Sequence, residues 1–594
     1  MRIVIPTLVL SLAVASSVYA APTPVTHHLE KRNWITDKIK SLFEDVLHSM
    51  ECDACVAALV GVKDVAWLNK NWALDAINSI CPSLSKQSAD VCSGLVYSQG
   101  PVILDSLLSA DITGGDGKFM CFQVLGICSP PAIGSGTLTF PKSKPANSVV
   151  PAPSGTLVDV VHLSDWHVDT QYVQGSEAAC NKPLCCRKYA DSPAVANRSA
   201  SSWGDYNCDS PPKLGLNLLT YIPTVANPSF AILTAGLNVK IYPTVGNHEA
   251  GPVNLFPTTA SGGDISWLYS SLADDWSRWL PADAVNSVKN YGAYTVSPQP
   301  GFRIISLNNN FYYTMNFYLY GHTKDYDPNG EIKWLIAQLQ AAEDAGERVW
   351  IIGHVGPSQT DCIQNWSALY YQVVQRYSPH VIAEQFFGHT HYDDFALYYG
   401  PGAKSSQNAI ASAWIGPSVT HYTNLNPGFC VYKVDTKSWN VFDSLTYIAD
   451  LNQAASWDAS GSSPNWHLEY SARAAYGAYV PLNATAPLSA SWWHSVTTTF
   501  ETTPAAFQKY WSYRGKSAGR IAACAPGSTC AAEMICDLRA GKSSDACSGI
   551  SFALKKREDG EEEEEKEAAG EIETRALYPR ANDKPWNKKL CGTY

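Results

Sequence analysis

Two histidines, His389 and His391, follow directly after the apolar run 381–387, and their spacing suits ligation of a metal ion. Apolar runs at 157–163, 239–245 and 348–352 also end in side chains that can bind metals. The further candidates are Asp165, His167, Asn247 and His354. If the runs are strands of an α/β sheet, their carboxyl ends face the crevice where ligands bind. We therefore expect these six side chains to gather at one site.

The types of these side chains restrict the chemistry. Imidazoles combined with oxygen ligands suit zinc, iron or manganese better than calcium. Six ligands are too many for one catalytic zinc, but they suit two ions that clamp a phosphoryl group and activate a water. The amide of Asn247 binds a cation through its carbonyl oxygen and leaves the positive charge of the site intact. The pattern thus predicts a binuclear centre for phosphate esters.

The length of 594 residues predicts two or three domains, and the net charge of -11 argues against nucleic acid as a partner. Residues 1–20 read as a secretory signal peptide, and no later segment looks long and apolar enough to span a bilayer. We assign residues 21–41 to a pro-segment or N-terminal extension with a dibasic Lys31-Arg32. The expected location is extracellular, with a vacuolar or lysosome-like compartment as the alternative. Sequons occur at Asn197, Asn365 and Asn483.

Composition divides the rest of the chain. Residues 42–132 are helical in period, residues 133–155 form a Pro-rich linker, and residues 156–450 alternate strand-like and helical runs, which is typical of an α/β domain. One clear helix starts near Glu331 and ends before Gly346. Residues 451–553 read as a mostly helical subdomain. Residues 554–594 contain an acidic block typical of a disordered tail.

Seventeen cysteines in a secreted chain predict disulfides. The helical region contains Cys52, Cys55, Cys81, Cys92, Cys121 and Cys128, with zinc ligation by Cys52 and Cys55 as the competing interpretation. Two local bridges are expected among Cys180, Cys185, Cys186 and Cys208. Two more are expected among Cys524, Cys530, Cys536 and Cys547. The odd set that remains is Cys362, Cys430 and Cys591.

The motifs resemble those of the calcineurin-like metallophosphoesterases, and the six-cysteine region resembles a saposin B-type domain. From about Cys52 to Cys547 the chain is similar to the acid sphingomyelinases, a family of secreted or lysosomal sphingomyelin phosphodiesterases. Besides the metal motifs, the similar stretches are 181–186, 203–206, 362–371 and 417–428. The resemblance implies an α/β fold: a four-layer metallophosphoesterase sandwich with an all-α saposin-like domain in front and a mostly helical C-terminal subdomain behind.

The resemblance also implies roles for individual residues. Asp165, His167 and His391 would hold one zinc ion, and Asn247, His354 and His389 would hold the other. His248 would protonate the leaving alkoxide of ceramide or orient the phosphate. In the saposin-like region the implied nested pairs are Cys52 with Cys128, Cys55 with Cys121, and Cys81 with Cys92. The implied partners are sphingomyelin and a membrane surface, and the expected state is a monomer.

The chain departs from the family pattern at one place. The family has a Gly-Asp motif after its second strand, and that aspartate bridges the two metals. Here the strand ending at Thr234 is followed by Ala235-Gly-Leu-Asn238 and then by the next strand at Val239. Four residues are too few for the crossover of a dozen or more that parallel neighbours need. With Asp165 as the one anionic ligand, we expect doubtful zinc occupancy and reduced activity.

Three functional interpretations follow. The first is a secreted zinc phosphodiesterase that hydrolyses sphingomyelin to ceramide and phosphocholine. The second is a phosphodiesterase that acts on nucleotides or other soluble phosphoesters, because related folds host several substrates. The third is a lipid-binding protein with a degenerate metal site. The saposin-like region favours a lipid substrate, whereas the absent Gly-Asp motif favours the third interpretation.

Overall fold

The computed structural model describes residues 25–85, 87–129, 136–232, 239–422 and 424–547. The predicted signal peptide (1–20), the acidic tail (554–594), Cys591 and the connection Ala235–Asn238 lie outside these residues. The helices within them are α1 Val25–Ser49, α2 Cys52–Leu68, α3 Lys70–Ser85, α4 Ala89–Ser109, α5 Gly117–Leu125, α6 Pro212–Val225, α7 Ser266–Trp276, α8 Ala282–Tyr291, α9 Glu331–Ala345, α10 Gln364–Tyr377, α11 Ala454–Ser460, α12 Ala472–Gly477, α13 Ala490–Thr502, α14 Pro504–Arg514 and α15 Thr529–Leu538.

The strands form two mixed sheets. They are β1 Leu157–His162, β2 Pro228–Ile232, β3 Ile241–Tyr242, β4 Tyr294–Gln299, β5 Phe302–Ser306, β6 Arg348–Ile352, β7 Ile382–Phe387, β8 Asp394–Tyr399, β9 Ala409–Ile415, β10 Gly428–Asp435, β11 Val441–Ile448 and β12 His467–Ser471. The first sheet has the order β12-β11-β10-β1-β2-β3, and the second has the order β4-β5-β6-β7-β9-β8. The predicted α/β class is confirmed.

Parallel pairing determines where the site can form. In the first sheet β1, β2 and β3 are parallel neighbours, and in the second sheet β5, β6, β7 and β9 are parallel neighbours. The strands are short and apolar because they are covered on both faces, and β6 is buried along its whole length. The carboxyl ends of β1 and β3 and those of β6 and β7 are followed by the predicted ligands.

The predicted run 239–245 forms a strand at Ile241–Tyr242 alone. It stops there because Pro243 has no backbone N–H to donate to a neighbouring strand. β3 is nonetheless a parallel neighbour of β2, with Ala231 opposite Ile241. The eight residues 233–240 make this connection, which is shorter than the crossover that parallel strands usually require.

The N-terminal helices α1 to α5 form one packed unit. Its disulfides are Cys52–Cys128, Cys55–Cys121 and Cys81–Cys92, the nested pairs that the resemblance implies. α1 runs across the boundary predicted at residue 42. The reason is that Ile35 and Ile39, four residues apart, are buried in the core, so residues assigned to a pro-segment belong to this unit.

Helix α4 contradicts one expectation, because it is long and apolar enough to cross a membrane by length and composition. In the structure it packs as a core helix, and its residues Cys92 and Leu104 are fully buried. It also docks the helical unit on the α/β domain. Gln99 donates a hydrogen bond of 3.0 Å to the carbonyl oxygen of Val253, and Lys182 pairs with Asp90 at 2.8 Å.

The remaining segments pack along the α/β domain. Residues 136–155 of the predicted linker contain no helix or strand, and Ser154 donates to Asp435 at 2.8 Å. The subdomain predicted over 451–553 is mostly helical in its described part, and it adds β12 to the edge of the first sheet. The further disulfides are Cys180–Cys185, Cys186–Cys208, Cys524–Cys530 and Cys536–Cys547. Cys362 and Cys430 are buried free thiols.

Candidate metal centre

The six predicted ligands come from the carboxyl ends of four strands. Asp165 and His167 follow β1, and Asn247 follows β3 in the same sheet. His354 follows β6, and His389 and His391 follow β7 in the other sheet. Each sheet therefore supplies three ligands. The structure brings them together at the place where the ends of the two sheets face each other.

Asp165 lies at the centre of the group. Its Oδ1 atom is 3.3 Å from His391 Nε2, 3.6 Å from His167 Nε2 and 3.8 Å from His354 Nε2. One ligand atom from each of Asp165, His167 and His391 lies within 4.8 Å of the others. Oδ2 of the same carboxylate accepts hydrogen bonds from the Ser164 hydroxyl and, at 2.8 Å, from the backbone N–H of His389.

The other three ligands form an adjacent group. His354 Nε2 lies 2.6 Å from Asn247 Oδ1, and the rings of His354 and His389 are 5.2 Å apart. Asn254 fixes the orientation of the Asn247 amide, since its Oδ1 accepts from Asn247 Nδ2 at 2.7 Å. Asn309 accepts from the backbone N–H of His354 at 3.0 Å.

The glycine between β7 and the two histidines allows a close approach. A Cβ atom at Gly388 would lie 2.6 Å from Asp165 Oδ2 and closer still to the Ser164 hydroxyl. The absence of a side chain therefore lets the turn that carries His389 meet the loop that carries Asp165.

Oxygen atoms outside the group hold the histidine rings. Asp209 Oδ1 lies 3.3 Å from His167 Nδ1, and the carbonyl oxygen of Tyr422 accepts from His391 Nδ1 at 2.7 Å. Asp361 Oδ2 lies 3.3 Å from His389 Nε2. Such contacts fix the tautomer and direction of a metal-binding imidazole. Sequence analysis missed Asp209 and Asp361, because neither follows a strand and neither stands in a ligand-like spacing.

The charges of the group favour an added cation. Burial alone would raise the pKa of the Asp165 carboxyl, but His354 and His391 lower it well below its usual value. Burial alone would lower the pKa of His167, but Asp209 and Asp165 raise it to about 10. The carboxylates therefore favour a positive charge beside His167. A proton or a metal ion can supply that charge.

The donor set also fits a metal ion. Asp165 Oδ1 is buried and accepts no hydrogen bond from any residue that the structure describes, although three imidazole nitrogens surround it. A buried acceptor without a hydrogen-bond donor is costly, and a cation would satisfy it. A carboxylate with imidazoles is a donor set typical of zinc and similar divalent ions.

His248 lies beside the ligands. Its ring centre is 4.1 Å from that of His167, and its side chain is half-buried, so it is accessible to a bound substrate. Glu249 comes next in the chain. A Cβ atom at Gly246 would lie 2.7 Å from Glu249 Oε2 and 3.4 Å from the His354 ring, so both side chains pack against this glycine.

Known proteins share these motifs. A family model of the calcineurin-like phosphoesterases matches residues 158–393, which include all six ligands. Sphingomyelin phosphodiesterase B of Dictyostelium discoideum is 32% identical over 476 residues, which are 72% of this chain and 71% of that protein. This chain belongs to the sphingomyelin phosphodiesterase family.

The family extends to vertebrates. Sphingomyelin phosphodiesterases of Bos taurus and Homo sapiens are each 36% identical, over 389 and 388 residues respectively. These matches cover 59% of this chain and 59% of each relative. A solved dimetal phosphatase from Danio rerio matches 49% of this chain and 95% of its own at 13% identity and a TM-score of 0.27, a low structural similarity. Membership of the sphingomyelin phosphodiesterase family makes this chain a phosphodiester hydrolase. The matching domain and the buried Asp165 group together indicate a divalent metal site.

Proposed function

We propose that this chain is a secreted, zinc-dependent phosphodiesterase that hydrolyses sphingomyelin to ceramide and phosphocholine and acts as a monomer. The observation that carries this proposal is the convergence of six ligands and His248 at the facing ends of the two sheets. The relatives named above supply the substrate class.

In this proposal Asp165, His167 and His391 hold one zinc ion, and Asn247, His354 and His389 hold the other. Bound zinc ions would polarise the phosphoryl oxygens and lower the pKa of a water molecule. The imidazoles of His167 and His389 are kept in direction by Asp209 and Asp361. Asn247 adds an oxygen without adding negative charge, which favours an anionic substrate.

His248 is proposed to transfer a proton to the leaving alkoxide of ceramide. It stands next to the metal ligands without being one of them, and it is half-buried. A general acid has to reach the leaving oxygen directly or through one water. Replacing His248 by Ala should therefore lower kcat by at least 100-fold while leaving metal content unchanged.

The helical unit is proposed to bring the site to a membrane. Trp67 and Leu68 stand at the end of α2 and are 78% and 64% exposed. Trp34 in α1 is 63% exposed. Large apolar side chains that project from a helical unit without cover favour contact with a lipid surface. This supports sphingomyelin in a bilayer as the substrate over a soluble phosphoester.

The activity is proposed to be lower than that of a chain with the full crossover. The family's Gly-Asp motif would lie between Thr234 and Val239, which is outside the described residues, and the flanking strands are parallel neighbours joined by eight residues. Two divalent cations about 4 Å apart repel each other by roughly 15–20 kcal/mol at an effective dielectric constant of 20. Asp165 is the one carboxylate among the six ligands available to offset that repulsion.

The test is to measure zinc content and phosphocholine release from sphingomyelin vesicles, for this chain and for a variant with a Gly-Asp crossover inserted between Thr234 and Val239. The inserted variant should gain both zinc and turnover. Hydrolysis of soluble esters with no hydrolysis of vesicles would replace this proposal by the soluble-substrate interpretation. Vesicle binding with no hydrolysis by either protein would support a lipid-binding protein with a degenerate site.

A further inference from the structure

Backbone strain is concentrated in the metal ligands. Four of the six adopt a left-handed φ, namely Asp165 (47°), His167 (46°), His389 (72°) and His391 (66°). Non-glycine residues seldom adopt this region, because it brings the Cβ atom too close to the backbone. It persists where the surrounding structure holds it in place. The contacts that hold these ligands are therefore part of how the site is built.

One short segment holds two of the four strained ligands. We call residues 418–420 the brace. The N–H of Ser418 donates to the carbonyl oxygen of His391 at 3.2 Å, and the N–H of Thr420 donates to the carbonyl oxygen of Asp165 at 2.9 Å. Between them, the N–H of Val419 donates to Ser164 at 2.8 Å. The brace thus joins the loop after β1 to the loop after β7.

A lysine from the C-terminal subdomain holds the brace. Lys516 follows α14 and is fully buried. Its ammonium donates to the carbonyl oxygen of Ser418 at 2.9 Å and to the Ser418 hydroxyl at 2.7 Å, and it reaches the carbonyl oxygen of Thr420 at 3.5 Å. Asn426 in turn donates to the Lys516 carbonyl oxygen at 2.9 Å, which fixes the backbone from which the side chain extends.

Burying an ammonium is costly unless it is paired and hydrogen-bonded. The negative charges that act on Lys516 are the carboxylates of Glu469, Asp165 and Asp393. None of the three forms an ion pair with Lys516 at 4.0 Å or less among the described residues, whereas three oxygens of the brace lie within 3.5 Å. An uncharged chain of the same length would fill the space but would make none of these hydrogen bonds. The carbonyl oxygens of Ser418 and Thr420 would then keep only the Gly428 N–H at 2.9 Å and the Ser418 hydroxyl at 2.6 Å, respectively.

We propose that Lys516 is a positioning residue for the metal centre. It fixes the brace, and through the brace it fixes the backbone of Asp165 and His391 in the strained conformation that directs both ligands to one ion. This inference rests on the proposed role of those two residues as ligands. It assigns to the C-terminal subdomain a function in building the site, although that subdomain contributes none of the six ligands.

The test compares Lys516→Met with Arg473→Met. Arg473 is a matched control, because its guanidinium also donates to backbone carbonyl oxygens, at 2.8 Å to Phe442 and 3.1 Å to Asn483 and also to Ala486, but away from the metal centre. Both variants are expected to lower the Tm of the metal-free protein. Only Lys516→Met should weaken zinc binding, by about tenfold or more in a chelator competition at fixed pH.

A zinc Kd for Lys516→Met within twofold of the wild-type value, with a Tm loss like that of Arg473→Met, would show that Lys516 acts in stability alone. If Lys516→Met does not fold, Ser418→Ala removes one acceptor of the ammonium and should weaken zinc binding in the same direction.

A second readout does not depend on metal. Amide hydrogen exchange in the metal-free protein should be faster across residues 163–167, 388–392 and 418–420 in Lys516→Met than in Arg473→Met. Equal exchange rates in the two variants would overturn the positioning role, whether or not the wild-type chain binds zinc. Absence of zinc binding by the wild-type chain would count separately, against the proposed function.

Discussion

Replacing Trp67 by Ala is expected to weaken binding to sphingomyelin-containing vesicles by about 30–60-fold. A Trp side chain offers about 250 Å² of surface, of which 78% is exposed here. Burying all of that area would contribute about 5 kcal/mol at ~25 cal/mol per Å². If the end of the helix inserts only halfway into the membrane interface, Trp67 would contribute about 2–2.5 kcal/mol to binding. Each 1.4 kcal/mol corresponds to about a tenfold change in affinity.

The assay is cosedimentation with vesicles, together with hydrolysis of a soluble chromogenic phosphodiester. Vesicle affinity should fall, whereas turnover of the soluble ester should stay unchanged, because Trp67 lies in the helical unit and not at the metal centre. The variant is preferable to deletion of residues 42–132, since α4 and α5 pack against the α/β domain and their removal would expose buried surface there.

Leu68 and Leu216 make a matched pair for the same idea. Both are 64% exposed, but Leu68 ends α2 whereas Leu216 lies in α6 of the α/β domain. Fully burying a Leu side chain contributes about 1.5–3 kcal/mol, and half of its exposed fraction would enter the interface. Leu68→Ala should therefore weaken vesicle binding by about two- to fivefold, and Leu216→Ala should leave it unchanged. Equal losses for the two leucines, or no loss for Trp67→Ala, would refute a membrane contact at this end of the helical unit.

Three further outcomes are expected. Asp165→Asn should abolish detectable zinc binding, since it removes the carboxylate around which three imidazole nitrogens are arranged; metal analysis of the dialysed protein checks this. Glycan mapping of protein expressed through a secretory pathway should find Asn197 and Asn483 occupied and Asn365 empty, because Asn365 is buried in the first turn of α10. Burial raises the pKa of Glu331 to about 8, so Glu331→Gln should become progressively more stable than wild type as pH rises from about 5 to 8 in thermal unfolding.

The sign of the Glu331 effect follows from linkage. A carboxyl whose pKa is higher in the folded state than in the unfolded state destabilises the fold as pH rises from about 4.5 to about 8. Glutamine resembles the protonated acid, so it keeps the low-pH stability throughout; a constant difference in Tm across this range would contradict the assignment. Asp325→Asn is the control for Asp165→Asn, because it removes an exposed carboxylate that is not among the six proposed ligands. A glycan found on Asn365 would contradict the burial argument for that sequon.

Sequence patterns predicted that the six candidate side chains lie together, for a physical reason. Each ligand follows a buried apolar run, and parallel strands place their carboxyl ends together. β6 matches the predicted run 348–352 at both ends, and α9 begins at Glu331 as its helical spacing predicts. The six side chains that converge could therefore be named before their positions were known, and their role as ligands stays a prediction.

Contacts from distant loops were not predictable in the same way. Asp209, Asp361 and Lys516 support the ligands from outside the strands, and no periodicity or spacing marks them. The start of the helical unit was placed too late, although Ile35 and Ile39 at helical spacing were a usable signal. The sequon at Asn365 did not reveal that the helix α10 buries its side chain.

The position of β3 at the edge of the first sheet affects how much a short connection can disturb the fold. An outermost strand has one neighbour, so a shortened connection into it disturbs no pairing between the strands farther in. With the proposed pair of zinc ions, a shorter connection at this edge strand would change the charge balance of the metal centre more than it would change folding. The reduced turnover proposed above is therefore compatible with an intact fold.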